Sequence, residues 1–186
     1  MTQADINQPD DETLGPRFWS RRKVTLAIVG AVFVAIWSTF SILVVVFDIE
    51  PVRVEGMSMS PTLNNGDRVL VERSFTKINR GDLVVFWNPN DKSYSFLKRV
   101  IGLPNETIAI HHGKTVIDGF TIEERYIKPQ FSTQDYDIRQ QLIPMDRYYL
   151  MGDNRDVSND SRLFGPVERR LIYGKVIGRY WTVNSK

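Results

Sequence analysis

The sequence predicts a mainly β domain, built of antiparallel β-sheet, behind a single N-terminal transmembrane helix. Two observations carry this prediction. Residues 24–47, VTLAIVGAVFVAIWSTFSILVVVF, contain no charged side chain, and the chain from residue 51 onward has short β-branched runs separated by Gly, Asn and Asp. The predicted organisation is a tail at residues 1–23, a membrane anchor at 24–47 and a β-rich domain at 48–186.

The uncharged run has the length and the flanks of a retained anchor. A helix of this length covers a hydrocarbon core of about 30 Å with some tilt. A cleavable signal sequence has a shorter apolar stretch and then a small-residue cleavage site, whereas FDIEPVRV follows here. The residues before the run are basic and those after it acidic: Arg17, Arg21, Arg22 and Lys23, then Asp48 and Glu50. The positive-inside rule therefore predicts a cytoplasmic N-terminus in a cell membrane, with the β-rich domain on the extracytoplasmic side.

The β-rich domain shows strand patterns in several places. VRVEGM, RVLVER and DLVVFW predict early strands, and LIYGKVIGRYW predicts a late one interrupted by glycine. KTVIDGFTI has Asp-Gly between apolar β-formers and predicts a hairpin. Residues 105–149 contain this hairpin and the polar, loop-like stretch KPQFSTQDYDIRQQ. We interpret them as a subdomain inserted into the β-core.

Composition narrows the classes of function. With 24 basic and 22 acidic residues the chain carries a formal charge of +2, which argues against a nucleic-acid partner. The absence of cysteine excludes thiol catalysis. The only histidines, His111 and His112, are adjacent, would point to opposite faces of a strand, and do not form an HExxH site. We therefore expect no metal and no other cofactor.

The stretch GMSMSPTL, residues 56–63, offers two candidate nucleophiles, Ser58 and Ser60. A serine hydroxyl needs a neighbouring base, and a lysine serves only when its amine is neutral. An ordinary lysine has a pKa near 10.4, which burial lowers. Lys98, in YSFLKRVIGLP, has apolar neighbours on both sides. The alternative reading is a lysine that extends to solvent. The SxxK pattern of Ser95 and Lys98 belongs to a helix in other enzymes, whereas this segment predicts a strand.

Residues 151–167, MGDNRDVSNDSRLFGPV, are rich in Asp, Asn, Ser and Arg. The EF-hand spacing fails at Arg155 and Val157. One reading is a solvated loop. The other is a polar network in which Asp160 pairs with Arg162 and Ser158 contacts a neutral lysine.

Four boxes in this order resemble those of the type I signal peptidases, serine proteases with a Ser/Lys dyad. They are GMSMSPTL, RGDLVVFWNP, KRVIGLPNE and GDNRDVSNDSR, between about residues 50 and 167. The resemblance implies that Ser58 is the nucleophile, Lys98 the general base and Ser60 a variable position. It also implies that Ser158 orients the lysine, and that Asp160 and Arg162 form a supporting ion pair near Gly152.

The resemblance extends to the oxyanion site and the substrate. The Ser58 backbone N–H is one expected donor to the oxyanion. Some members have a serine at the position of Gly56, and its hydroxyl supplies the second donor. The sequence of this chain does not identify its own second donor. Asn105 replaces a family glycine and is expected to adopt a left-handed backbone. Shallow apolar pockets for small side chains are expected at Val54, Met59, Leu63, Phe96 and Leu97. The implied substrates are signal peptides with Ala-x-Ala sites.

The implied partners are those signal peptides, the lipid bilayer and the protein translocase. Two other interpretations compete with signal-peptide removal. One is a related Ser/Lys peptidase dedicated to pilus or conjugation-protein maturation, and the other is a catalytically inactive anchored domain that binds substrates or partners. A self-cleaving repressor is disfavoured, because the apolar run stands where a DNA-binding domain would be required.

Overall fold

The computed structural model describes residues 21–183, with the side chains of residues 43–47 left aside. The chain divides into two compact units, with the boundary between Leu43 and Val44. Most of the predicted tail (residues 1–20) and the last three residues lie outside the described part.

Helix α1 (Arg21–Phe47) supplies the described part of the first unit, and its last four residues fall within the second. It begins three residues before the predicted anchor and ends at the predicted residue. Its described side chains are exposed, and Arg21–Ile42 is apolar and long enough to cross a membrane. The prediction of one N-terminal apolar helix is confirmed.

The second unit is built on a seven-stranded antiparallel sheet, which we call the large sheet. Its strands are β1 (Ile49–Arg53), β2 (Arg68–Glu72), β3 (Leu83–Trp87), β4 (Ser95–Gly102), β9 (Arg147–Met151), β10 (Val167–Glu168) and β11 (Ile172–Trp181). They lie in the order β1-β2-β11-β3-β4-β9-β10, and every neighbouring pair is antiparallel. The mainly β, antiparallel fold predicted from the sequence is confirmed.

A four-stranded antiparallel sheet, the small sheet, lies in the chain between β4 and β9. Its strands are β5 (Thr107–His111), β6 (Lys114–Ile117), β7 (Phe120–Thr121) and β8 (Ile138–Leu142), in the order β7-β6-β5-β8. They fall within the 105–149 range, although residues 147–149 belong to β9 of the large sheet. A short helix, α2 (Ser161–Phe164), completes the unit and was not predicted.

Two local features of the small sheet bear on the sequence predictions. The β6–β7 hairpin forms as predicted: Ile117 pairs with Phe120, and Asp118 and Gly119 both have positive φ, 49° and 85°, as a two-residue turn requires. The prediction of a continuous loop over KPQFSTQDYDIRQQ is wrong at its end. Residues 138–141 begin β8 because their backbone pairs with β5; their polar side chains conceal this edge strand.

Three apolar clusters hold the second unit together. One lies under the large sheet around Phe86 and Leu150, and a second joins the two sheets through residues such as Ile108 and Tyr149. The third packs the loop between β1 and β2 against β2 and β3. In that cluster Met59 is buried against strand residues, and this fixes the backbone of the GMSMSPTL segment.

Candidate active site

The serine and the lysine selected from the sequence lie in contact. Ser58 is in the loop between β1 and β2, and Lys98 is on β4. Lys98 Nζ lies 2.8 Å from Ser58 Oγ and 3.1 Å from the Leu97 carbonyl oxygen. The Lys98 residue is 3% exposed, so its amine does not extend to solvent. A serine hydroxyl and a buried lysine amine are thus within hydrogen-bond distance.

Burial has a chemical consequence for this lysine. It lowers the pKa of Lys98 from 10.5 to about 8, because the ammonium form loses its hydration. The charge of Asp160 acts in the opposite direction, whereas that of Arg162 lowers the pKa further. The Phe96 ring centroid lies 5.2 Å from Nζ and forms part of its apolar surroundings. Burial therefore raises the neutral fraction of the Lys98 amine near physiological pH.

Ser60 occupies a different environment. It is 1% exposed, and its hydroxyl donates to Asn64 Oδ1 at 3.0 Å. This contact lies within the same loop and has the geometry of a structural hydrogen bond. Of the two serines, Ser58 is the one placed against the lysine.

Asp160 organises the loop that follows β9. Its carboxylate accepts hydrogen bonds from the Gly152 N–H at 3.0 Å and from Arg162 Nε and Nη2 at 2.8 and 2.9 Å. The Asp160 side chain is fully buried and that of Arg162 is 11% exposed. The predicted ion pair near Gly152 is therefore present in the structure. It fixes the backbone beside the serine.

Gly152 lies where no larger residue fits. A Cβ built on it would lie 2.2 Å from Ser158 Oγ and 2.5 Å from the Ser58 carbonyl oxygen. Ser158 is buried, but among the described residues its hydroxyl makes no hydrogen bond to Lys98. The sequence-based expectation of that bond is not met, because the Lys98 amine points to Ser58 and the Leu97 carbonyl. Ser158 instead packs against Gly152.

Gly56 and Asn105 both adopt the left-handed backbone, with φ of 84° and 67°. The Gly56 N–H donates to Asn65 Oδ1 at 3.0 Å, which shapes the approach to Ser58. The positive φ favours glycine at this position, whereas space does not restrict it, because a Cβ on Gly56 would meet nothing within 4 Å. Asn105 takes the φ expected for a glycine substitute.

A cleft of about 170 Å³, lined by both apolar and polar side chains, adjoins the serine and the lysine. Four of the five predicted pocket residues line it: Val54, Met59, Phe96 and Leu97. The structure places the fifth, Leu63, elsewhere. Leu63 is 3% exposed and packs in the core cluster under the loop. Sequence reasoning also missed Val52 and Val85, which line the cleft from β1 and β3; only the strand order brings them there.

A second ion pair beside the lysine was not predicted. Arg99 Nε and Nη2 lie 2.8 and 2.6 Å from the two Asp153 carboxylate oxygens. Thr62 Oγ1 donates to Asp153 Oδ2 at 2.5 Å. Arg99 lies in the box KRVIGLPNE and Asp153 in the box GDNRDVSNDSR. Their positions inside two family boxes were the only feature of the sequence that could have pointed to this ion pair. The pair connects β4 to the loop after β9, and Thr62 links it to the loop that carries Ser58.

The two histidines lie in the small sheet, away from the cleft lining. His111 ends β5 and His112 is in the following turn, and both are exposed. His112 Nδ1 is 3.3 Å from Asp135. Neither histidine is among the residues that line the cleft at Ser58.

The structure has an antiparallel β-fold in which a serine contacts a buried lysine. This arrangement was expected from the sequence for a serine peptidase. The family model described as “Signal peptidase, peptidase S26” matches residues 21–181. The chain therefore belongs to that family, and the predicted membership of the type I signal peptidases is confirmed.

Curated relatives carry the corresponding names. “Signal peptidase I” of Leptolyngbya laminosa is 40% identical over 138 residues, which cover 68% of this chain and 66% of the relative. “Signal peptidase IB” of Staphylococcus aureus strain Mu50 is 32% identical over 169 residues, covering 80% of this chain and 87% of the relative. The chain thus spans about two thirds of the length of the Leptolyngbya protein.

Among solved structures, a signal peptidase I from Enterococcus faecalis V583 aligns with a TM-score of 0.49 at 29% identity. The alignment covers 55% of this chain and 98% of that structure. The family assignment rests on the family model and on the curated relatives.

Proposed function

We propose that this protein is a membrane-anchored serine endopeptidase that removes signal peptides from exported preproteins. Ser58 is the nucleophile and Lys98 the general base. The observation that carries the proposal is the 2.8 Å contact between Ser58 Oγ and the Nζ of a lysine that is 3% exposed. Membership of the peptidase S26 family supports the same activity.

The chemistry begins with the neutral amine of Lys98. With a pKa of about 8, roughly a tenth of the amine is neutral at pH 7, against about one part in a few thousand for an ordinary lysine. This amine accepts the Ser58 hydroxyl proton as Oγ attacks the scissile carbonyl carbon. The resulting oxyanion is stabilised by the Ser58 backbone N–H.

Collapse of the tetrahedral intermediate breaks the peptide bond. The Lys98 ammonium gives its proton to the leaving amine, and the signal peptide remains attached to Ser58 as an ester. Water then attacks the ester while Lys98 accepts the proton of that water. Each step leaves Lys98 in the protonation state that the following step requires. The dyad therefore acts without a third residue that gains or loses a proton.

Substrate choice follows from the cleft. Its volume of about 170 Å³ and the apolar side chains among its walls suit small side chains just before the scissile bond. Larger side chains would require the walls formed by Met59 and Leu97 to move, and Met59 is 1% exposed in the core. A preference for Ala-x-Ala sites fits this geometry.

The loop after β9 supports the dyad. Asp160, held by Arg162, fixes Gly152 through its N–H. Gly152 in turn contacts the Ser58 carbonyl and Ser158 closely. In this proposal Asp160, Arg162 and Ser158 are supporting residues that set the position of Ser58 relative to Lys98.

The placement in the cell follows from α1 and its flanking charges. Helix α1 spans the cell membrane once, with the basic residues Arg21, Arg22 and Lys23 on the cytoplasmic side. The β-rich domain then works at the extracytoplasmic surface, where preproteins leave the translocase. The partners are signal peptides, the lipid bilayer and the translocase.

The two competing interpretations differ in what they expect of purified enzyme. A peptidase dedicated to pilus or conjugation proteins would share the Ser58–Lys98 chemistry but reject ordinary preproteins. An inactive binding domain would cleave nothing. The depressed pKa of Lys98 opposes the second alternative, because keeping a lysine at about 3% exposure is unfavourable and serves no need of a binding surface.

Cleavage of a preprotein with an Ala-x-Ala site in detergent micelles tests the proposal. Wild type should cut at that site, and both Ser58→Ala and Lys98→Ala should be inactive. Ser60→Ala is the matched control, since this serine bonds only within its loop at Asn64 and its loss should leave cleavage within a fewfold of wild type. An active Ser58→Ala enzyme would refute the dyad. A wild type that cuts no preprotein would refute signal-peptide removal.

A further inference from the structure

We propose that Glu124, in the segment that follows β7 of the small sheet, is a positioning residue for Ser58 and acts through Arg155. The inference rests on the proposed peptidase activity and adds a residue outside the four family boxes to its machinery. The small sheet thereby takes part in holding the nucleophile.

The Glu124–Arg155 ion pair is buried. Arg155 Nη2 lies 2.5 Å from Glu124 Oε1, and the exposed fractions of the two side chains are 0% and 8%. The remaining acceptor capacity of Glu124 is used by Thr115 Oγ1 at 2.9 Å and Tyr126 Oη at 2.7 Å. A fully buried guanidinium depends on such a counter-charge, because water does not reach it.

Arg155 connects this pair to the nucleophile in two steps. Its Nε donates to the Gly152 carbonyl oxygen at 3.1 Å. In the same short loop the Asn154 N–H donates to the Ser58 carbonyl oxygen at 3.0 Å, and a Cβ on Gly152 would lie 2.5 Å from that oxygen. The backbone of residues 152–154 therefore contacts Ser58 directly, and Arg155 fixes this backbone.

The segment between β7 and β8 holds the loop at neighbouring points as well. The Arg155 N–H donates to the Phe131 carbonyl oxygen at 2.7 Å. The Asp156 carboxylate accepts from the Thr133 N–H at 3.0 Å and from Thr133 Oγ1 at 2.9 Å. These contacts keep the loop attached when Glu124 changes, so its loss should shift the loop without detaching it.

Without the Glu124 charge, the buried guanidinium has to find another acceptor, and its Nε leaves the Gly152 carbonyl. The backbone that contacts Ser58 then moves relative to Lys98. A displacement of about 1 Å in a reacting group lowers a rate by about 100-fold. Since the cleft residues of β1, β3 and β4 are not involved, substrate binding should change little.

Glu124→Gln in the full-length protein is the test, with Glu123→Gln as the matched control. Glu123 is the preceding residue, but its side chain is 71% exposed and pairs only with the exposed Arg125. We expect kcat of the Glu124 variant to fall about 10- to 100-fold with KM within twofold. The control variant should keep both constants. Equal kcat in wild type and the Glu124 variant would overturn the proposal.

A double variant separates positioning from mere stabilisation. Combining Glu124→Gln with Arg155→Met removes the unpaired buried charge, so the denaturant midpoint should return toward that of wild type. The kcat should stay low, because the Gly152 carbonyl still lacks its Arg155 donor. Recovery of kcat together with the midpoint would mean a purely structural pair and would overturn the proposal.

Hydrogen exchange at the Asn154 amide gives a readout that needs no substrate. The Glu124 variant should exchange this amide at least about tenfold faster than the Glu123 variant, relative to amides of β3 in the same molecule. Unchanged exchange would overturn the positioning role. If wild type cleaves no preprotein but the exchange rate responds as stated, the proposed function fails while the structural link stands.

Discussion

Replacing Lys98 by methionine should abolish cleavage and at the same time stabilise the folded protein at neutral pH. The folded state lowers the pKa of Lys98 from 10.5 to about 8, a difference of about 2.5 pH units. At about 1.4 kcal/mol per unit, the buried ammonium destabilises the native state by about 3 kcal/mol. Methionine has a similar length, fits an apolar site and carries no charge.

Part of this gain is offset by lost hydrogen bonds. The amine contacts Ser58 Oγ and the Leu97 carbonyl oxygen, and each such bond contributes about 1 kcal/mol. The net expectation is a variant about 1 kcal/mol more stable than wild type at pH 7. Most substitutions of a buried residue act in the opposite direction.

The pH dependence gives the sharper signature. Between pH 8 and 10.5 the unfolded state binds more protons at this lysine than the folded state does, so the wild-type stability gains from rising pH in that window. The destabilisation is fully present below pH 8 and is gone above 10.5. The variant lacks this dependence, and the difference between the two proteins should therefore shift by about 3 kcal/mol in favour of wild type from pH 7 to 10.5.

Guanidinium unfolding in detergent, followed by tryptophan fluorescence at several pH values, measures both quantities. Lys114→Met is the control, because Lys114 is exposed on β6 and its loss should change the stability by less than about 0.5 kcal/mol. A Lys98 variant that is less stable than wild type at pH 7, with the same difference at pH 10, would refute the reasoning.

Four further predictions concern the same site. The kcat/KM of wild type should rise with pH through a midpoint near 8, where Lys98 loses its proton, and Lys98→Arg should be inactive at every pH because arginine stays charged; an activity assay across pH 6–10 checks both. Gly152→Ala should inactivate the enzyme and destabilise it by about 3 kcal/mol, since the new Cβ would lie 2.5 Å from the Ser58 carbonyl oxygen; normal activity would contradict the close approach. Asp160→Asn should lower the denaturant midpoint by the equivalent of about 3 kcal/mol, because it leaves the mostly buried guanidinium of Arg162 unpaired.

Short-range sequence patterns predicted those parts of the fold whose geometry is set by neighbouring residues. The Asp-Gly turn of the β6–β7 hairpin formed with both residues at positive φ, because turn geometry is set by the residues in the turn. The apolar neighbours of Lys98 in a strand left two possibilities, burial or extension to solvent, and the structure shows the residue to be 3% exposed. The family boxes then placed Ser58 in the same site.

Contacts between residues that are far apart in the chain could not be predicted from local sequence patterns. Arg99 and Asp153 are 54 positions apart, and Arg155 and Glu124 are 31 apart, so no periodicity links the members of either pair. Leu63 shows that the role of a single apolar residue is also hard to predict from local sequence. An apolar residue near a nucleophile can line a cleft or fill the core, and only the direction of its side chain decides between them.

The strand order of the large sheet has a consequence for when the enzyme becomes active. Strand β11 lies between β2 and β3, so the β1–β2 pair, whose connecting loop carries Ser58, and the β3–β4 pair, which carries Lys98, are joined into one sheet through β11. A nascent chain that has emerged as far as residue 171 contains both residues but not the strand that joins their halves. In the proposed mechanism, nucleophile and base would therefore belong to one continuous sheet only once β11 has paired with β2 and β3. Under the proposed function, this strand order would delay proteolytic activity until the last strand of the domain has been synthesised and has joined the sheet.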